Sequence, residues 1–213
     1  SGAYSMRRKL VEIMGGAAYR AGIFTFHGFC NYLIGRYQES FPRIVGGRAA
    51  TAPDQLRILE GIFLKNRFKL IRPFGDILYY VPKALHAIRD LKRENISPAE
   101  FQKALAAEAK QLRQSPARLH NRGRFRGELK AAHRDVLRKI EKSRELAVVY
   151  EQYEDALACE RLFDFEDMIL ETIRALQDDT DLLLTLQEQY QYILADEHQD
   201  ANTAQNRILE LLC

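Results

Sequence analysis

Asp196 and Glu197 stand side by side at the end of a short apolar run, Gln191 to Ala195, whose centre is Tyr192, Ile193 and Leu194. Adjacent carboxylates in that position suit phosphate chemistry. One can hold a magnesium ion on nucleotide phosphates while its neighbour orients or deprotonates an attacking water. A run this short, dense in β-formers and stopped by acids, reads as a buried parallel strand. Strands of that kind present their C-terminal ends where ligands bind in open α/β sheets. The competing reading makes both residues ordinary loop acids, and an isolated Asp-Glu pair does not separate the two.

A second constellation is Thr25-Phe26-His27-Gly28-Phe29-Cys30. It overlaps the β-rich run Ile23 to Phe26, expected as a first strand, and opens a helical pattern from His27 through Leu33, Ile34 and Tyr37. At such a junction Thr25, His27 and the first free amides of the helix can bind a phosphate. Phe26 can stack on a base. Alternatively, Phe26 and Phe29 are core residues and His27 is a cap.

The elements around these groups are mostly helical. Tyr4 to Met14 carries a helical spacing stopped by Gly15-Gly16. Pro42 and Gly46-Gly47 mark a boundary. Thr51 with Asp54 is an N-cap arrangement for a helix bearing Leu56, Leu59, Ile62 and Phe63. Pro73-Phe74-Gly75 is a break, and Ile77 to Leu91 is amphipathic, with Pro82 as either kink or start. Ser97-Pro98-Ala99-Glu100 is a strong start signal for a helix to about Arg113. Ser115 to Gly127 reads as an Arg/Gly-rich loop. Glu128 to about Glu160 supports one long helix or two in sequence. Asp164 to Asp167 caps another helix, Asp181 to about Gln189 is a shorter one, and Asn202 caps the last. Gln205 falls in that helix's capping-box position, which gives it a structural reading.

A chain of 213 residues holds one large domain or two small ones. The net charge of +3 does not by itself argue for a nucleic-acid partner, but its distribution is uneven. Between Arg113 and Lys139 nine bases face only Glu128 and Asp135, whereas Glu151 to Asp200 is acidic. No apolar run approaches the roughly 20 residues of a membrane helix, and no signal-peptide pattern opens the sequence. Cys30, Cys159 and Cys213 form no C-x-x-C pair, and their odd number suits a reducing cytoplasm.

Asp196-Glu197-His198-Gln199-Asp200, with Gln205, resembles motif II of the UvrD/Rep/RecB-like superfamily 1 DNA helicases, which reads Asp-Glu-x-Gln-Asp and has the Walker B layout of P-loop NTPases. His198 stands where that family usually has Tyr or Phe. Thr25 to Cys30 is similar to the family's Thr-x-His-Ser/Gly-x-Cys motif. Val149-Tyr150-Glu151-Gln152-Tyr153, followed by Phe163 to Ile169, resembles its Tyr-x-x-Tyr and Leu-Asp-Phe-x-Asp-Leu segment. The helix around Met6-Arg7-Arg8 is similar to the tail of motif Ia.

The resemblance implies a mostly α fold. Residues 42–160 would be the helical insertion domain 1B. Residues 1–41 and 161–213, the two chain ends, would form an incomplete RecA-like α/β portion, domain 1A. It implies ATP and Mg2+ as cofactors, with Asp196 on the metal, Asp200 supporting it, Glu197 acting on water and Gln199 sensing the γ-phosphate. It places Thr25, Phe26 and His27 on single-stranded DNA, and Arg118, Arg122, Arg124, Arg126 and Lys130 near duplex at a single-strand/duplex junction.

No G-x-x-x-x-G-K-[ST] occurs, so nothing in the chain cradles the β- and γ-phosphates. The expectation is a fragment, inactive alone, of a 3′ to 5′ helicase whose remaining parts are its partners. Two rivals stand beside it: a non-catalytic helical DNA-binding or protein-interaction module, and the helicase part of a RecB- or AddA-type helicase–nuclease, towards which Gly28 leans.

Overall fold

The computed structural model describes residues 2–71, 76, 78–115, 119 and 130–213. In chain order the helices are α1 (Gly2–Met14), α2 (Phe26–Arg36), α3 (Ala52–Lys65), α4 (Val81–Arg93), α5 (Pro98–Gln114), α6 (Ala131–Cys159), α7 (Phe165–Asp178), α8 (Thr180–Gln189) and α9 (Thr203–Leu212). Strands β1 (Arg48–Ala49) and β2 (Leu162–Phe163) pair in parallel, with Arg48 opposite Leu162 and Ala49 opposite Phe163. The chain is mostly α, as expected. It divides into two compact units, one of Ser1–Ala49 with Arg161–Cys213, the other of Ala50–Glu160.

Helix starts follow local chemistry. Thr51/Asp54, Ser97/Glu100, Asp164/Asp167 and Asn202/Gln205 all form reciprocal capping boxes at α3, α5, α7 and α9. Each satisfies donors that the first turn leaves without an intrahelical acceptor. Pro82 lies in the first turn of α4, so it starts the helix rather than kinking it. The α6 sequence contains neither Pro nor Gly and runs as one helix of 29 residues. At ~1.5 Å per residue it is about 43 Å long. The expected break at Pro73-Phe74-Gly75 lies outside the described residues.

In the first unit α7 is the central helix, packed by α2, α8 and α9. Ile169, Ile173 and Leu176 of α7 meet Leu33 of α2, Leu186 of α8 and Ile208 of α9 in one buried cluster. Glu171, also buried, accepts from Arg43 Nη1 at 3.0 Å and is bonded by Arg174. Asp179 accepts from Ser40 Oγ at 2.8 Å and from the Leu182 amide at 2.9 Å, fastening the chain after α2 to the start of α8. Helix α1 buries no residue and exposes Tyr4, Ile13 and Met14.

Two strand expectations are corrected. Residues 22–25 pair with no strand, and α2 already begins at Phe26 because the Thr25 side chain caps it. Residues 192–195 form no strand either: Tyr192 is 91% and Leu194 97% exposed. A strand exists only through the backbone ladder to a neighbour, and among the described residues none pairs with either run. The parallel pair forms instead at β1 and β2, two residues each, too short to show alternation in sequence. A Cβ on Gly47 would lie 3.0 Å from the Arg161 carbonyl oxygen and 3.2 Å from that of Ile44. Gly47 thus permits the close backbone approach that starts the pair.

The second unit packs α3 and α4 on α6, and α5 on α6. Ile58, Leu59, Ile62 and Phe63 of α3 are buried, as are Leu85 and Ile88 of α4. Leu105 and Ala109 of α5 pack on Ile140 and Ala147 of α6. The Tyr150 hydroxyl donates to the Ile96 carbonyl at 3.2 Å. Asn66 and Gln152 exchange amide hydrogen bonds at 2.8 and 3.3 Å. Glu145 of α6 accepts from three consecutive amides, Lys69 and Leu70 at 2.8 Å and Ile71 at 2.9 Å, clamping the segment after α3. Lys92 is fully buried and pairs with Glu154 at 2.6 Å.

Candidate functional site

Both sequence motifs fall in the first unit. The Asp196 segment follows α8 and leads into a short 3-10 turn, His198–Asp200. Glu197 has φ 50° and ψ 39°, the left-handed region, which turns the chain sharply at a cost of roughly 1–3 kcal/mol for a non-glycine residue. Asp196 Oδ1 accepts from the Glu197 amide at 3.1 Å, and Gln199 Nε2 donates to Glu197 Oε2. The Asp200 amide donates to the Glu197 carbonyl at 2.9 Å. Asp196, Glu197, Gln199 and Asp200 are all exposed. They form a local turn of hard oxygen donors open to solvent. Magnesium is bound through one or two carboxylates, with water and phosphate oxygens completing the set, so Asp196 and its neighbours fit that ion chemically. Gln205 is occupied by its capping role: its Oε1 accepts from the Asn202 amide at 3.2 Å.

The Thr25 motif opens α2. Thr25 Oγ1 accepts from the Gly28 amide at 3.1 Å. A Cβ at Gly28 would come within 3.0 Å of that hydroxyl, so the small residue leaves the cap room. Phe26 packs against the core cluster, in keeping with the core reading of that ring. His27 is not a cap: its ring stacks on Phe165, centroids 3.5 Å apart and planes 10° from parallel. Phe165 is the first residue of α7 and is itself largely exposed.

An aromatic contact joins the Thr25 motif to the residue that precedes the Asp196 segment. Phe29 meets Tyr190 edge-on at 5.6 Å, and Tyr190 leads directly into the Asp196 segment. Phe24 adds to the same group, 5.7 Å from Phe29 and 5.4 Å from Tyr32. Burial, with Tyr32 close by, pushes the Tyr190 hydroxyl above its ordinary value. Cys30 beneath is buried, and desolvation raises its thiol to about 11. Phe165 and Tyr190 were not singled out as site residues. Phe165 follows a capping Asp in sequence, and Tyr190 precedes an apolar run, so neither carries a local signal of its contact.

Of the basic candidates, Lys130 is half-buried at the start of α6 in the second unit. Arg118, Arg122, Arg124 and Arg126 lie outside the described residues. The Tyr-x-x-Tyr segment is structural here: Tyr150 and Tyr153 are both buried on α6. The following Asp164 and Asp167 are the buried capping box of α7, bonded amide to carboxylate at 2.8 and 3.0 Å.

Curated relatives match this chain over nearly its whole length. A "Probable DNA helicase" of Mycoplasma pneumoniae is 26% identical over 212 residues, covering 99% of this chain and 33% of the relative. The "ATP-dependent DNA helicase UvrD1" of Mycobacterium tuberculosis is 26% identical over 207 residues, covering 95% and 22%. The "ATP-dependent DNA helicase PcrA" of Staphylococcus aureus is 24% identical over 210 residues, covering 99% and 23%. The chain thus spans between a fifth and a third of the curated relatives it matches. The family model for the UvrD/REP helicase N-terminal domain matches residues 2–213, and the chain belongs to that family.

Proposed function

We propose that this chain is the motif-bearing part of an ATP-driven motor that moves 3′ to 5′ on single-stranded DNA and separates duplex. The observation that carries the reading is the family match over residues 2–213, which includes Asp196-Glu197-x-Gln199-Asp200. In this reading the first unit is part of the RecA-like domain 1A, and the second unit is the helical domain 1B. Asp196 holds Mg2+ with Asp200 in support, and the ion offsets charge on the ATP phosphates. Glu197 orients and deprotonates the attacking water, while Gln199, already bonded to Glu197, reports the γ-phosphate. Thr25, Phe26 and His27 lie along the DNA path, and the Phe29–Tyr190 contact couples that path to the nucleotide segment.

The chain has no phosphate-cradling Gly-x-x-x-x-Gly-Lys loop, so ATP hydrolysis is expected of the longer protein rather than of these 213 residues. The test is the ATPase rate of the full-length natural protein with and without single-stranded DNA, beside Glu197→Gln. Strong stimulation by DNA, lost by about 100-fold or more in Glu197→Gln with nucleotide binding kept, is the expected result. Normal hydrolysis by the variant, or a rate indifferent to DNA, overturns the motor reading.

A further inference from the structure

A second aromatic and basic surface lies in the other unit, away from the motif residues in sequence. It is built from the turn before α4, from α4 itself and from α6. Lys142 Nζ sits 4.3 Å from the Tyr80 ring centroid and 3.2 Å from its hydroxyl oxygen. Lys83 Nζ lies 5.4 Å from the same ring and 4.1 Å from the Tyr79 ring, and it donates to the Tyr79 hydroxyl at 2.9 Å. The two tyrosines meet edge-on at 5.1 Å. Cations and rings therefore alternate in the order Lys142, Tyr80, Lys83, Tyr79. Tyr79, at the outer end, is 50% exposed.

Two features point to a ligand. Both lysines have phenol partners, and among the described residues neither is paired with a carboxylate. The basic character also continues along α6. Arg134, Arg138 and Lys142 recur at every fourth residue, and Arg134 and Arg138 are exposed. At ~1.5 Å per residue this stripe extends about 12 Å from the ladder. An exposed ring for stacking beside a row of cations that pair with no carboxylate among the described residues is the combination that holds single-stranded nucleic acid: rings take base faces and cations follow phosphates.

We propose that Tyr79, Tyr80, Lys83 and Lys142, with Arg134 and Arg138, form a single-stranded DNA contact on the second unit. A base stacks on the exposed Tyr79, and the backbone runs along the α6 stripe. The lysines hold the rings in place through their hydroxyls and leave ammonium protons for phosphate oxygens. This surface rests on the DNA-motor reading for the identity of the strand, and on its own geometry for where that strand binds.

The test uses the full-length natural protein without nucleotide. An oligothymidylate carrying 5-iododeoxyuridine is photocrosslinked to it, and the attachment site is found by peptide mass spectrometry. Fluorescence anisotropy then measures affinity across a salt series. Crosslinking to Tyr79 or Tyr80 is expected. Tyr79→Ala should weaken binding roughly 5- to 160-fold, the range for loss of one stacked base, whereas Tyr79→Phe keeps the ring and stays near wild type. Lys142→Ala should reduce the salt slope by about 0.7, one single-strand phosphate.

No crosslink in this segment, Tyr79→Ala within twofold of wild type, or a surface that serves duplex in preference to single strands overturns the proposal. ATPase measured in parallel separates the two failures. Neutral patch variants beside DNA-stimulated hydrolysis sink this surface alone. A crosslinked, Tyr79-dependent strand beside DNA-indifferent hydrolysis sinks the motor reading alone.

Discussion

Replacing Glu145 by alanine removes one carboxylate that accepts from three consecutive amides, Lys69, Leu70 and Ile71. The Lys69 bond is exposed, so water replaces it at little cost. The Leu70 and Ile71 bonds are partly buried, and each hydrogen bond to a charged acceptor contributes about 1.5 kcal/mol. Glu145→Ala is therefore expected to destabilise the second unit by about 3 kcal/mol. Unfolding entropy near ~2.1 cal/mol/K per residue turns this into a Tm drop of about 13 °C if the 111-residue unit Ala50–Glu160 melts alone. The drop is about 7 °C if all 213 residues melt together. Glu145→Gln keeps one carbonyl oxygen but turns an NH2 towards the remaining donor, so its loss should fall between wild type and alanine. Thermal melts followed by far-ultraviolet circular dichroism, with urea titrations for the free energy, measure both. A Glu145→Ala midpoint within about 2 °C of wild type would refute the reasoning, because three bonds to one carboxylate would then add nothing over solvent.

Other expectations follow from single contacts. Ser97→Ala removes the cap of α5 and should cost about 1 kcal/mol by urea titration. The Ser97 hydroxyl and amide hold the Glu100 carboxyl below its ordinary value. Its contribution is therefore present above the unfolded glutamate range and is lost as pH falls through the lower folded value. The difference between wild type and Glu100→Gln should be visible near pH ~7 and gone near pH ~2. Leu186→Ala opens a hole against α7 and α9 and should cost about 2–5 kcal/mol, read as a shift in urea midpoint. Buried Cys30, with its thiol pushed up to about 11, should resist iodoacetamide near pH ~8 while exposed Cys159 and Cys213 react. Mass spectrometry of the alkylated chain checks this, and fast labelling of Cys30 in the native state would contradict the packing of α2 on α7.

Much of the local structure was legible because it is decided within a few residues. Ser97-Pro98-Ala99-Glu100 satisfies its own helix start, and so do Thr51/Asp54, Asp164/Asp167 and Asn202/Gln205; each box needs only a side chain reaching three residues along. Gln205 could be assigned to structure for the same reason. The Asp-Glu-x-Gln-Asp pattern was visible as a motif, but the turn it forms was not expected, because the run before it reads as a strand.

Tertiary structure alone decided what depends on distant partners. Ile23 to Phe26 and Gln191 to Ala195 have strand composition, yet a strand is made by its neighbour's backbone, and the ladder formed instead between Arg48–Ala49 and Leu162–Phe163, more than a hundred residues apart. That Thr25 rather than His27 caps α2 is local, but the stacking of His27 on Phe165 exists only because α7 packs on α2. The Phe29–Tyr190 contact and the alternation of Lys142, Tyr80, Lys83 and Tyr79 likewise join segments that no periodicity relates. Sequence fixes interactions whose geometry is set by a few backbone dihedrals; contacts across long loops are set by how the helices pack.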